Sequence, residues 1–130
     1  MTALSLAETS RLLRDALPET MTGDDRRLTD WSDLPPTVEM GQLATAFADA
    51  LASGLSADRV AAVMQTVEQA LTGGNEEVKD AVATGFLEGL MAEASAGRMS
   101  FEQLTDHLGP ESRRYCEAWD EFTGARTPGL

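Results

Sequence analysis

The 130 residues carry 10 Lys+Arg against 22 Asp+Glu, a formal net charge of −12, with one Cys, one His and 42 % hydrophobic residues. A chain of this size folds as one ordinary domain and buries about two-thirds of the surface it exposes when unfolded, enough for a core without a disulfide or structural metal. The lone Cys116 cannot form an internal disulfide. Both halves are acidic, which opposes binding to nucleic acid and to anionic membranes. No run approaches the ~20 apolar residues of a membrane span. Residues 1–17 contain Glu8 and Asp15 and lack the basic start of a signal peptide. A cytoplasmic protein is expected, with no nucleic-acid or membrane partner. A basic protein is its natural electrostatic counterpart, and solubility alone is the competing explanation of the charge.

Hydrophobic periodicity predicts six helices and no strand. The first spans about 5–17, with Leu6, Leu13 and Leu17 on one face, Leu12 beside them, and Glu8, Arg11 and Asp15 outside. Residues 18–36 form a long polar connection that ends in the stiff pair Pro35-Pro36. The second helix starts near Thr37 and buries Met40, Leu43, Ala44, Phe47 and Leu51 before Gly54 ends it. Ser56 caps the third, whose stripe is Val60, Val63, Met64, Val67 and Leu71, and Gly73-Gly74 ends it.

Asn75 caps the fourth helix, with Glu76 and Glu77 in its first turn. Val78, Val82, Phe86 and Leu90 form one stripe, and Ala83, Leu87, Met91 and Ala94 lie beside it. So wide an apolar arc marks the central, most buried helix. Gly85 and Gly89 are four apart, which in a soluble helix lets a neighbouring helix approach closely. Ser100 and Gln103 read as a capping box that opens a short fifth helix containing His107. Gly109-Pro110 starts the sixth, which carries Tyr115, Trp119 and Phe122 on a core-facing side; residues 125–130 read as a frayed tail. Short links make neighbouring helices antiparallel. The expected fold is all-α, a single-domain antiparallel helical bundle or a short helical-repeat-like array of five to six helices.

No residue pattern points to catalysis. His107 has no histidine or cysteine at metal-ligand spacing and no nucleophile turn nearby. Cys116 lies beside the aromatic stripe and reads as a small apolar residue. The acidic pairs lack the alternating ligands and central glycine of a calcium loop, and no phosphate-binding glycine loop is present. The expectation is therefore no enzyme, no cofactor and no metal. Interface residues are the better candidates. Trp31 stands among Asp24, Asp25, Asp30 and Asp33, and the last helix offers Glu117, Asp120 and Glu121. An aromatic anchor with an acidic surround would steer and hold a basic partner.

The stretch NEEVKDAVATGFLEGL followed by DHLGPESRRYCEAWDEF carries a resemblance. Gly85, Phe86, Leu87, Glu88 and Leu90, then Leu108, Gly109, Pro110, Tyr115 and Trp119, resemble small bacterial all-helical proteins similar to immunity proteins of polymorphic toxin systems, over about residues 75–122. The resemblance implies a non-enzymatic protein that binds and neutralises a basic, toxin-like partner, and it assigns no catalytic residue. Two alternatives stay open: a small-molecule or enzymatic pocket near His107, Tyr115 or Cys116, and a scaffold subunit self-associating through Gly85 and Gly89.

Overall fold

The computed structural model describes residues 4–17 and 35–130. The candidate residues Asp24, Asp25, Asp30, Trp31 and Asp33 lie outside the described residues. Among those described, the chain is all helical, with six helices. α1 is Leu6–Asp15, α2 Pro36–Ala52 and α3 Ala57–Gly73; α5 is Glu102–Thr105 and α6 Pro110–Thr123. α4 is continuous but not uniform: α-helix over Glu76–Asp80, π-helix over Ala81–Leu87, α-helix over Glu88–Ser95.

Local chemistry sets the ends as expected for most of these. The side chains of Ser5, Ser56 and Asn75 accept from the amides of Glu8, Arg59 and Val78, at 3.1, 3.4 and 3.0 Å. Each satisfies an amide that has no partner inside its helix. Gly54 and Gly97 stop α2 and α4 with φ of 93° and 77°, a region where a Cβ is strained. α5 departs from expectation. It starts after Phe101, which has no capping oxygen, so the Ser100 capping box is not formed. It is four residues long, and His107 lies past its end, donating its amide to the Leu104 carbonyl.

Of the two arrangements left open, the packing is that of a bundle around α4 rather than an array of stacked consecutive pairs. α2 packs most closely on α4, not on α3, to which a tight turn joins it. α3 packs on α1 and α6. The stripes of α2, α3 and α4 meet in one core, whose largest wholly buried members are Phe47, Phe86 and Phe101. Phe47 and Phe86 stack across the α2–α4 contact with ring centroids 5.9 Å apart.

Gly85 and Gly89 account for that contact. A Cβ on Gly85 would lie 2.6 Å from the Thr37 carbonyl oxygen and 2.6 Å from the Met40 Cβ; one on Gly89 would lie 2.9 Å from the Ala44 Cβ. The two glycines therefore face α2 within the same chain, and their face is not open for self-association. The π-helix was not foreseen. It turns six of its seven residues, all but Thr84, into buried positions.

Two further expectations are corrected. The sixth helix does not bury its whole aromatic side: Tyr115 and Trp119 pack against the core, but Phe122 is 84 % exposed. The buried stripe of α6 runs through Ser112 and Cys116 instead, and Phe122 at its end overshoots the bundle. Residues 125–130 are not frayed. Thr127 donates its amide and hydroxyl to the two Asp120 carboxylate oxygens, both at 2.7 Å, and Leu130 packs against the core.

Gly85→Ala would push a methyl against main chain that cannot swing away. The expected cost is about 1–3 kcal/mol, read as a lower urea midpoint at unchanged slope. Gly73→Ala, where an added Cβ meets nothing within 4 Å, should be neutral or gain up to about 1 kcal/mol.

Candidate functional site

α6 carries the residues of interest, and three contacts fix where it sits. At its start, the Glu68 carboxylate of α3 accepts from the Glu111 amide, the Ser112 amide and the Ser112 hydroxyl, at 3.0, 3.0 and 2.9 Å. An anion is thereby placed on the positive end of a 14-residue helix that has no cap of its own. Gly109 is what lets it in: a Cβ there would lie 2.4 Å from the Glu68 carboxylate. The Gly109-Pro110 turn thus serves a cap that arrives from a different helix. In the middle, the Tyr115 hydroxyl donates to Glu88 of α4. Beside α5, Arg113 donates to the Thr105 carbonyl at 2.8 Å.

Between α4 and α6 these contacts leave a groove of about 300 Å³. Its apolar surface comes from Leu71, Ala83, Tyr115 and Ala118, and its edges are charged: Lys79 and Asp80 on α4, Glu111 and Arg114 on α6. The cations are engaged within the chain, Lys79 with Glu76 at 3.9 Å and Arg114 with Glu111 at 3.4 Å. Exposed pairs of this kind contribute little to stability.

Glu117 and Glu121 are exposed on the second half of α6, and so is Phe122 on a different face. Asp120 is half-buried and holds Thr127, so it is occupied in closing the chain end. Phe122 leans on Trp119, ring centroids 6.2 Å apart. The exposure of Phe122 is what sequence reasoning missed; Glu117 and Glu121 were already candidates. The 3.6-residue period placed Phe122 with Trp119 but could not show that the bundle stops short of it.

The residues held in reserve for chemistry are dispersed. His107 is half-buried and does not line the groove. Cys116 is wholly buried, and burial, with Asp120 nearby, pushes its thiol up to about 12, far from the low value a reactive thiolate needs. Burial also raises Tyr115, with the Glu88 carboxylate adding to the shift, to about 12. Among the described residues no three His, Cys, Asp or Glu side chains stand close enough to hold a metal ion. Nor is any described helix long and apolar enough to cross a membrane.

A family model matches residues 10–124. The chain belongs to that family, described as Domain of unknown function (DUF7674). No curated protein and no solved structure matches it. The DUF7674 span begins at Ser10, whose hydroxyl donates to Glu39 of α2, and ends at Gly124, the left-handed residue that closes α6. It therefore takes in α2 to α6, the Glu68 cap, the groove and Phe122.

Removing the α6 cap from either side should have the same effect. Glu68→Ala and Gly109→Ala are each expected to cost about 1–2 kcal/mol, and the double variant little more than one of them, since both abolish one interaction. A strictly additive double would show that Glu68 and Gly109 act independently. The raised pKa values carry a sign. Each favours the neutral form in the folded chain, so their contribution is fully present below about pH 9, the ordinary thiol value, and is lost as pH rises toward 12. Spectrophotometric titration of the phenol should give a midpoint near 12, and a thiol reagent at pH 8 should modify Cys116 only as fast as the chain unfolds.

Proposed function

We propose that this protein is a non-enzymatic binding module that engages a basic partner protein through the second half of α6. In this reading it acts as an inhibitor of immunity type, neutralising a toxin-like domain by occupying it. One observation carries the proposal. Phe122 is 84 % exposed at the end of α6, and Glu117 and Glu121 are exposed on a neighbouring face of the same helix. A large apolar ring that leans on Trp119 but stays mostly in water adds little burial to this fold, whereas aromatic anchors within a charged rim are what protein interfaces use. The net charge of −12 supplies long-range attraction for a cation-rich surface and repels nucleic acid. The resemblance over about residues 75–122 supports the inhibitor role. An acidic surface covering a basic active site would also act as a substrate mimic if the partner is a nuclease.

The test places a photo-crosslinking amino acid at Phe122, and at exposed Gln65 of α3 as control, in the producing cell. A basic protein captured from position 122 alone is expected. With that protein purified, Phe122→Ser combined with Glu117→Lys and Glu121→Lys should weaken binding by about 100-fold or more, and wild-type affinity should fall as salt rises. Stoichiometric wild-type protein should abolish the partner's activity. An acidic or neutral partner, or affinity unchanged in the triple variant, would remove the proposal.

A further inference from the structure

The groove and the exposed phenylalanine lie on the same face of α6. Glu111, Arg114, Tyr115, Ala118 and Phe122 are spaced i, i+3, i+4, i+7 and i+11, a single strip on a helix of 3.6 residues per turn. At 1.5 Å per residue the strip is about 16 Å long, or three turns. The groove is an open trough against α4 rather than a closed chamber, and Phe122 stands one turn beyond Ala118 on the same strip of α6. We infer that this strip is the docking site for an amphipathic, basic α-helix of the partner, laid along the trough between α4 and α6. The inference rests on the binding reading above and names the partner's chemistry.

Shape and charge both select that occupant. A strip three turns long, which begins in a groove apolar along its floor and charged along its edges and ends on an exposed ring, matches a helix that presents apolar residues at i, i+3, i+4 and i+7 and charges on either side. Charge decides the sign. On the rim Lys79 and Arg114 are already paired with Glu76 and Glu111, while Asp80 has no ion-pair partner among the described residues. Glu117 and Glu121, exposed on a neighbouring face of α6, and the net charge of −12 add to the same negative field. Lysines and arginines flanking the incoming apolar stripe would find the Asp80 carboxylate within that field. A second copy of this chain would instead bring the same acids and a further charge of −12 to the same edge.

Fluorescence anisotropy with the full chain tests this. The probe is a labelled peptide of about 18 residues in which leucines form one helical stripe and lysines fill the other positions. The comparators are a scrambled peptide of identical composition and a leucine/glutamate counterpart. The striped cationic peptide should bind at least about tenfold more tightly than the scrambled one, and the anionic one should not bind. Ala118→Arg, which fills the trough, and Phe122→Ser, which removes the exposed ring without touching the core, should each weaken binding by about tenfold. Gln65→Arg adds the same charge as Ala118→Arg on the exposed side of α3 and should change affinity less than about twofold.

Equal weakening by Ala118→Arg and Gln65→Arg would overturn the trough, since charge alone would then explain binding. So would equal affinity for striped and scrambled peptides. Either result would leave the basic-partner reading standing, as would a crosslinked basic partner whose binding ignores Ala118→Arg. Binding of the anionic peptide in preference to the cationic one would overturn both.

Discussion

The close crossing of α2 and α4 is the contact on which the remaining geometry depends. Helices normally keep their axes 8–10 Å apart because side chains intervene. Here Gly85 and Gly89 present no side chain, so Thr37, Met40 and Ala44 of α2 press against the α4 main chain. Phe47 and Phe86 stack beside them. Burying α4 this deeply leaves little polar surface on it. The π-helix over Ala81–Leu87 is the backbone's accommodation, since a wider helix spreads its buried residues over a broader arc. The one residue of that segment left outward is Thr84, next to the phenol of Tyr115. π-helical insertions are rare and occur often beside functional surfaces; this one forms part of a wall of the groove.

α6 is held in a different way. Only Ser112 and Cys116 among its residues are fully buried, so apolar burial alone attaches it weakly. Polar contacts from other elements supplement it: the Glu68 carboxylate at its start, Glu88 on Tyr115, the Thr105 carbonyl on Arg113. The chain end then folds back onto Asp120. These contacts position α6 so that one face is fixed to the bundle while Ala118 and Phe122 stay exposed. A helix rigid in placement loses little freedom when a partner meets those residues.

Electrostatics acts at two scales. The overall charge gives the protein a long-range preference for cationic partners, whatever surface meets them. Locally, several acids are engaged within the chain: Glu68 caps α6, Glu39 engages Ser10 and Arg14, Glu93 takes Arg98 through both carboxylate oxygens, and Asp120 anchors Thr127. What distinguishes the second half of α6 is therefore its exposed ring, not the abundance of negative charge.

The sequence by itself determined the helices. Periods of 3.6 in Met40–Leu43–Phe47–Leu51 and Val60–Met64–Val67, caps at Ser5, Ser56 and Asn75, and stops at Gly54 and Gly97 are local events that nearby residues control. The small-residue pair Gly85/Gly89 also announced a close neighbour. Tertiary structure decided which neighbour it was, because any apolar stripe could have met it. It also decided that Glu68, more than 40 residues away, caps α6, that α4 widens into a π-helix, and that Phe122 overshoots the core its spacing had assigned it to. Each of these depends on where a second element ends in space, a quantity that no local pattern along the chain encodes.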